Sequence, residues 1–196
     1  QDFGGFELHY DNIPVFIDLG RRSYGPKGDK DKHAQSHNIL TIDGIAPYPE
    51  NRPYYSDKFR KFIAGPDPSW RENFRDINVE TECFSRIKGI GLWRRSWKFS
   101  DKEVTITDTI EGKGCHRILR YLHTIHPTRI YQEDVIFGPF KVSSSGKAKL
   151  EPTKYWKSYG KSEDAMTIIF FDVVSLPVTL YLTISFDKAL QAINDK

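Results

Sequence analysis

Apolar and polar residues alternate along much of this chain, which is the pattern of strands that have one buried and one exposed face. The alternation is clearest in residues 93–99, 104–110 and 178–186. Residues 166–174 are apolar at both alternating sets of positions apart from Asp172, which is typical of a central strand. These runs predict an all-β fold, an antiparallel β-sandwich.

Turn-forming residues separate the runs and predict two hairpins. Asp11-Asn12 lies between residues 3–9 and 13–18, and residues 111–114 divide the run 104–110 from 117–125. Residues 20–35 are rich in Gly, Lys and Asp and predict a mobile loop, whereas the proline-rich stretch 46–67 predicts irregular structure. Only residues 188–194 have helical character, as a short tail. We therefore expect less than about a fifth of the chain to be helical.

The composition agrees with a β fold and limits the classes of function to consider. A chain of 196 residues fits one domain, and an aromatic content of 14% suits strands. The net charge is +3, and the basic residues are scattered along the sequence rather than clustered as in a nucleic-acid-binding surface. No apolar run is long enough for a membrane span. Cys83 and Cys115 can pair in an oxidising compartment or stay free in a reducing one; a chain of this length does not need a disulfide, which favours free thiols.

The first 44 residues carry the most informative motifs. In chain order they are DFGGFEL at residues 2–8, PVFIDLG at 14–20, YG at 24–25 and SHNILTIDG at 36–44. This order resembles the C-terminal region of the heparinase II/III-like polysaccharide lyases. In that family a His-x-His-x-Asp motif runs into a Phe-Glu-Leu-like strand, and a strand ending in Asp-x-Gly follows. A Tyr-Gly pair and the block His-Asn-Thr-Leu-x-Val-Asp-Gly come next.

Later segments agree with this resemblance. They are WRRSW at 93–97 before VTITD at 104–108, RYLHTIHP at 120–127 and the pair Tyr159-Gly160. Two features depart from the family pattern: residue 39 is Ile where the family usually has Thr, and the chain begins inside the His-x-His-x-Asp motif, whose Asp matches Asp2. The resemblance thus implies that residues 1–196 are the C-terminal β domain of a longer enzyme, with both motif histidines and an N-terminal α-helical domain upstream of Gln1.

The resemblance implies β-elimination beside a uronic acid in an acidic polysaccharide, either glycosaminoglycan-like or alginate-like. This reaction needs a base, a neutraliser of the uronate carboxylate and an acid for the leaving oxygen. In the family these groups come from the N-terminal half and the first motif His, so the catalytic residues are expected upstream of Gln1. The isolated chain is then expected to be inactive. The family also implies a bacterial protein that is periplasmic or secreted.

Relatives that hold zinc bind it with the second motif His, the Asp that ends the next strand and the His of His-Asn. The resemblance therefore implies Asp18 and His37 as zinc ligands here, with one further His upstream of Gln1. Carboxylate oxygen and imidazole nitrogen both suit zinc. From residue types alone, Asp18 can equally cap a turn while His37 hydrogen-bonds the loop. If the zinc hypothesis holds, the two side chains should lie within about 7 Å of each other.

The candidates for binding an acidic glycan are Arg21, Arg22, Asn38 and Arg94, and Arg95, Arg117 and Arg120 could line the same groove. Guanidinium groups bind carboxylate and sulfate in bidentate fashion, although arginines on strand faces are more often solvated or paired with acidic residues. Asn38 can instead orient His37 or fix the turn before the strand.

Other side chains leave alternatives open. His123 and His126 fall on opposite faces of a strand, so they cannot both point to one site. The alternative function is a non-catalytic carbohydrate-binding or structural sandwich of a protein that remodels surface polysaccharide, and the sequence upstream of Gln1 would discriminate between the two.

Overall fold

The computed structural model describes residues 2–23, 26–49 and 56–187. Strands make up 59% of the structure and helices 7%, which confirms the predicted low helix content. The strands of the described residues are β1 Leu8–Tyr10, β2 Ile13–Phe16, β3 Leu40–Ile42, β4 Ser69–Asn73, β5 Asp76–Thr81, β6 Ile90–Phe99, β7 Glu103–Gly112, β8 Cys115–Thr124, β9 Arg129–Tyr131, β10 Asp134–Phe137, β11 Phe140–Ser144, β12 Lys147–Ser158, β13 Lys161–Ser175 and β14 Val178–Phe186. The helices are α1 Asp57–Ala64 and the 3-10 helices Pro26–Lys32 and Ala34–Ser36.

The strands form two main sheets and one small ribbon. The larger sheet has eight strands in the order β4-β5-β6-β7-β14-β11-β10-β9, and the smaller has four in the order β12-β13-β8-β3. The ribbon pairs β1 with β2. The strand pairs within these sheets are antiparallel. The predicted all-β antiparallel sandwich is confirmed.

The core lies between the inner faces of the two sheets. Ile106 and Leu182 of the eight-stranded sheet belong to the same buried cluster as Leu122 and Ile168 of the four-stranded sheet. Every second residue of a strand faces inward, which is why the alternation in the sequence marks these positions. Fully burying one such side chain stabilises the fold by about 1.5–3 kcal/mol.

Buried charges also lie on the inner faces. Arg95 of β6 makes a bidentate contact with Asp108 of β7, at 2.7 Å and 2.9 Å, and both side chains are almost inaccessible. Arg120 of β8 contacts Asp172 of β13 at 3.1 Å and donates to the backbone oxygen of Tyr181 at 2.9 Å. Because Tyr181 belongs to the other sheet, this arginine ties the two layers together.

One predicted hairpin is confirmed and the other is wrong. β1 and β2 are joined by Asp11 and Asn12, both at positive φ (48° and 63°), as a tight two-residue hairpin turn requires. In contrast, β7 and β8 belong to different sheets, so residues 111–114 carry the chain from one layer to the other. Gly112 is needed there, because a Cβ at this position would lie 2.1 Å from the Gly89 backbone oxygen.

The loop predictions need correction as well. The proline-rich stretch contains the helix α1, whose N-cap Ser56 accepts a hydrogen bond from the Phe59 amide at 3.2 Å. The loop after Gly20 contains both 3-10 helices. The predicted helical tail at 188–194 lies outside the described residues. No helix in the described ranges is long and apolar enough to cross a membrane.

Both cysteines are free, as expected. Cys83 is buried and Cys115 is exposed. Burial raises the pKa of the Cys83 thiol to about 12, which keeps this group protonated and unreactive at neutral pH.

Candidate functional site

Two chain segments meet beside the end of β8. The segment that follows β2 runs along this end, where the Ile17 amide donates to the His123 backbone oxygen at 2.9 Å. The segment that precedes β3 approaches from the same side, because β3 pairs with β8. Asp18 and His37 lie on these two segments and are thereby brought together.

The side chains of Asp18 and His37 are in direct contact. His37 Nδ1 donates to Asp18 Oδ2 at 2.5 Å, so the predicted proximity of the two groups is confirmed. Asp18 Oδ1 accepts a hydrogen bond from the Gly20 amide at 2.9 Å, so the carboxylate also caps a turn. Turn capping by Asp18, one of the two alternatives left by the sequence, is thus present, while zinc binding stays a prediction.

The electrostatics favour the charged form of this pair. Burial alone would raise the pKa of Asp18, but the hydrogen bond and charge of His37 outweigh it and hold the pKa below its ordinary value. Burial alone would lower the pKa of His37, but the hydrogen bond and charge of Asp18 outweigh it and raise the pKa. Asp18 and His37 therefore favour a carboxylate–imidazolium pair at the protein surface, where 37% of the Asp18 side chain is exposed.

A third residue beside the pair, His123, was not singled out from the sequence. Its side chain is fully buried, and its Nδ1 lies 3.0 Å from Thr167 Oγ1. Burial lowers the pKa of His123 to about 4, although the charge of Asp18 opposes this shift, so the ring is neutral at physiological pH. Its Nε2 makes no hydrogen bond of ordinary geometry within the described residues, while the backbone of His37 lies close enough to affect its pKa.

His126 is an ordinary packed histidine. Its Nε2 donates to the Pro14 backbone oxygen at 2.8 Å, and its ring stacks on Phe137 at a centroid distance of 5.9 Å. The sequence indicated that His123 and His126 could not share a site, and the structure identifies His123 as the one beside Asp18 and His37.

Asp18 and His37 fit part of a zinc site. They supply one oxygen and one nitrogen donor, whereas zinc sites have at least three protein ligands. Within the described ranges, no group of three or more His, Cys, Asp or Glu residues is arranged to hold a metal ion. A role for these two residues in binding zinc stays a prediction, and it needs a further ligand from outside the described residues.

Asn38 occupies a buried position that fits the structural alternative given by the sequence, while a role of Asn38 in binding substrate stays a prediction. The side chain is 1% exposed. Its Nδ2 donates to the backbone oxygens of Phe6 and Ile17 at 2.7 Å and 2.9 Å, and its Oδ1 accepts from the His123 amide at 2.7 Å. These bonds leave the amide group occupied and buried, so Asn38 fixes the segments that carry Asp18 and His37.

Arg94 makes the acidic pairing that the sequence left open as the alternative, and its role in binding substrate stays a prediction. Arg94 projects from the outer face of the eight-stranded sheet, opposite to its buried neighbours Trp93 and Arg95. It pairs there with Glu80 at 2.9 Å and Glu111 at 2.7 Å, so two carboxylates compensate its charge.

Arg21 and Arg22 follow Asp18 closely in the chain. Arg21 Nε donates to the Ser23 backbone oxygen at 2.9 Å, and the Arg22 guanidinium lies 4.6 Å from the centre of a Trp156 ring. Their role in binding substrate stays a prediction.

An open trough of about 700 Å³ lies against the outer face of the four-stranded sheet. Leu19 and Ser36, the chain neighbours of Asp18 and His37, line it together with Thr167.

Comparison with known proteins gives a fold relationship. No family model and no curated protein matches the chain by sequence. Among solved structures, a heparinase III, the BT4657 gene product, is similar with a TM-score of 0.70 and 18% identity, over 94% of this chain and 30% of that one. The heparan sulfate lyase HepC from Pedobacter heparinus is similar with a TM-score of 0.69 and 13% identity, over 95% of this chain and 30% of that one. A further heparinase III has a TM-score of 0.65 and 15% identity, over 95% of this chain and 29% of that one.

At these identities the comparison shows the fold. The chain is an all-β sandwich of the kind found in heparinase III and heparan sulfate lyases, and it spans slightly under a third of the length of those proteins.

Proposed function

We propose that the chain is the C-terminal β domain of a lyase that cleaves a uronic-acid-containing acidic polysaccharide by β-elimination. The observation that carries the proposal is the Asp18–His37 contact of 2.5 Å, in a fold shared with heparan sulfate lyases. The sequence motifs that resemble the heparinase II/III-like family meet at this contact, although they are separated along the chain. The partner implied by the proposal is an N-terminal helical domain upstream of Gln1, in a periplasmic or secreted protein.

The described residues contribute positioning and charge to such a site. Asn38 fixes the two segments, and Asp18 holds the ring of His37 through Nδ1. A bound zinc ion would supply positive charge beside the acidic substrate. Asp18 and His37 would hold this ion together with one histidine upstream of Gln1.

The activity test compares the 196-residue chain with the longer protein that contains it. Each is incubated with heparan sulfate, chondroitin, hyaluronan and alginate, and the ultraviolet absorbance of unsaturated uronates is followed. We expect turnover by the longer protein alone, because elimination needs base, acid and neutraliser positioned around one sugar, and losing that positioning costs about 7–11 kcal/mol. Turnover by the short chain would show that the β domain itself is catalytic and would contradict the assignment.

The site is tested by His37→Ala in the longer protein, with His9→Ala as the matched control because His9 is an exposed residue on β1. The proposal requires that His37→Ala lowers kcat/KM and the zinc content of the purified protein, while His9→Ala leaves both unchanged. Equal behaviour of the two variants would remove Asp18 and His37 from the site.

A second candidate function is a non-catalytic carbohydrate-binding domain. The trough favours it, because a binding surface on the sheet needs no catalytic group. Absence of turnover by the longer protein on all four polysaccharides, combined with binding of one of them, would support this candidate over the lyase.

A further inference from the structure

The floor of the trough is the outer face of the four-stranded sheet. Strand register places Leu119 opposite Phe171 and Tyr121 opposite Ile169, and these side chains alternate with residues that face the core. Phe171 is 41% exposed, a high value for a phenylalanine in the middle of a sheet. The sheet therefore presents an apolar floor outside the main core.

A strap of chain, described at residues 19–23 and 26–36, lines one side of the trough through Leu19, Lys30 and Ser36. At Leu19 it reaches β12, where the Trp156 amide donates to the Leu19 backbone oxygen at 2.7 Å. Gly20 permits this close approach: its φ is 67°, and a Cβ would lie 2.4 Å from the Trp156 backbone oxygen. At the other end of the strap, Ser36 precedes the edge strand β3.

The charged groups along the trough are mainly basic. Lys30 of the strap, Arg117 of β8 and Lys149 of β12 line it, together with one carboxylate, Glu151. Lys149 pairs with Glu151 at 2.6 Å, and both side chains are largely exposed. Lys30 and Arg117 thus leave an excess of positive charge above an apolar floor.

We propose that this trough is a binding site for a short stretch of an acidic polysaccharide, held by the β domain itself. The inference rests on the proposed function and extends it by placing part of the sugar chain on the outer face of the sheet, beyond Asp18 and His37. The apolar floor matches the C–H faces of sugar rings, and guanidinium and ammonium groups match carboxylate and sulfate. A volume of about 700 Å³ lies within the range of ligand sites.

Arg117 and Phe171 are the residues on which the site depends most. Arg117 is exposed, and its backbone amide donates to Asp43 Oδ1 at 2.9 Å, a bond that a change of side chain does not remove. Phe171 supplies the exposed apolar part of the floor. Both residues belong to the 196-residue chain, so their contribution to binding can be measured without any other domain.

The test titrates the 196-residue chain with a heparan sulfate octasaccharide by calorimetry, and maps the contact by amide chemical shifts. We expect the shifts to concentrate on β8, β13 and the strap. Arg117→Glu should weaken binding at least about tenfold, because it removes a charge-assisted hydrogen bond and places a negative charge beside the acidic sugar. Phe171→Ser should weaken it several-fold.

Lys98→Glu is the matched control, because Lys98 is an exposed basic residue on β6 of the other sheet. It should leave affinity within about twofold, since it alters only the general charge. Equal loss in Arg117→Glu and Lys98→Glu, or shifts that map to another face, would overturn the proposed site.

Two further probes separate a glycan site from a site for acidic protein. A neutral cellulose oligosaccharide should bind weakly to the same residues, and polyglutamate should not compete with the octasaccharide at equal charge. Competition by polyglutamate at equal concentration would favour an acidic peptide and overturn the proposal. If the 196-residue chain binds the octasaccharide but the longer protein shows no turnover, only the lyase assignment is contradicted. If the longer protein shows turnover but the 196-residue chain does not bind, only the proposed trough site is contradicted.

Discussion

Asn38 shows how one side chain can hold a site together from a buried position. Its amide joins backbone groups of Phe6, Ile17 and His123, which belong to segments far apart in the sequence. Each of these backbone groups would lose its hydrogen bond if the side chain were removed. A buried polar group without a partner costs roughly 1–3 kcal/mol. Loss of these hydrogen bonds should therefore lower the free energy of unfolding and alter the geometry of Asp18 and His37.

We predict that Asn38→Ala lowers the free energy of unfolding by about 2–4 kcal/mol, because buried backbone groups lose their partner. Urea denaturation followed by circular dichroism measures this. Asn78→Ala is the matched control, because Asn78 is an exposed residue on β5, and it should change stability by less than about 0.5 kcal/mol. Similar losses in both variants would mean that the hydrogen bonds of Asn38 do not stabilise the fold.

A second ionisable pair, Asp43 and His116, lies at the turn after β3. His116 Nδ1 donates to Asp43 Oδ2 at 2.8 Å, and its Nε2 lies 3.2 Å from the Lys113 backbone oxygen. Both ring nitrogens thus face acceptors, which favours the protonated ring. The hydrogen bond that His116 donates to Asp43 raises the pKa of His116 above its ordinary value, although burial opposes this.

This pair makes stability depend on pH. Because the folded pKa of His116 is raised above 6.5, its contribution is fully present below that pH and is lost as pH rises through the folded pKa. We predict that the difference in Tm between the native chain and His116→Gln is larger at about pH 6 than at about pH 9. His9→Gln, at an exposed residue, should show no such trend, and a difference that grows with pH would contradict the prediction.

At the scale of single elements, β6 illustrates how one strand serves two environments. Arg94 and Arg95 are adjacent in sequence but project from opposite faces. Arg94 forms surface pairs with Glu80 and Glu111, whereas Arg95 forms a buried bidentate pair with Asp108 and also donates to the Gly4 backbone oxygen at 2.9 Å. Two arginines at neighbouring positions are therefore expected to contribute very differently to the free energy of unfolding.

We predict that Arg95→Met lowers the free energy of unfolding by about 3–5 kcal/mol. The substitution removes the ion-pair partner of the buried Asp108 carboxylate and leaves it the hydrogen bond from Trp93 Nε1 at 3.0 Å. Arg94→Met should cost no more than about 1 kcal/mol, since exposed ion pairs contribute little. Both variants are compared by urea denaturation. A cost below about 1 kcal/mol for Arg95→Met would show that water or a neighbouring group replaces the arginine.

At the scale of the whole molecule, the core consists of two buried clusters that share strands. Trp97 and Ile106 belong to one cluster, while Trp93 and Ile110 of the same two strands belong to the other. Since β6 and β7 run through both clusters, neither can lose its packing while the other keeps its full set of contacts. We therefore expect the domain to unfold as one unit.

Tryptophan fluorescence can test this expectation at both clusters. With the exposed Trp70 and the partly buried Trp156 replaced by Phe, a further Trp97→Phe leaves Trp93 as the reporter, and Trp93→Phe leaves Trp97 instead. In each variant the fluorescence midpoint in urea should agree with the circular dichroism midpoint, because coincident transitions mark two-state unfolding. Midpoints that differ between the two methods would show that the clusters unfold separately.

The sequence predicted the parts of the fold that depend on local pattern. Period-two alternation located β6, β7 and β14, and Asp11-Asn12 located the first hairpin, since only a few residue types adopt positive φ. The connection from β7 to β8 was misjudged because a glycine-rich turn can close a hairpin or carry the chain to another sheet. That choice is set by the packing of the layers, which local sequence does not encode.

The candidate site was predicted in part for similar reasons. Family-like motifs identified Asp18 and His37, and the structure places them in contact. The sequence left two roles open for Asn38 because a buried asparagine and an exposed one look alike in sequence. His123 and the trough were missed because they depend on which strand faces lie next to the strap, and that is a property of tertiary structure.

The outermost strand of the larger sheet, β4, has a consequence for solubility. Among the described strands it pairs only with β5, and its five residues are all exposed. Such an edge offers free backbone amides and carbonyls to a strand from another molecule, and Trp70 on it adds apolar surface. Arg71 and Glu72 oppose that addition by placing charge on the edge. Salt that screens these charges should therefore promote self-association through β4 while the core remains folded.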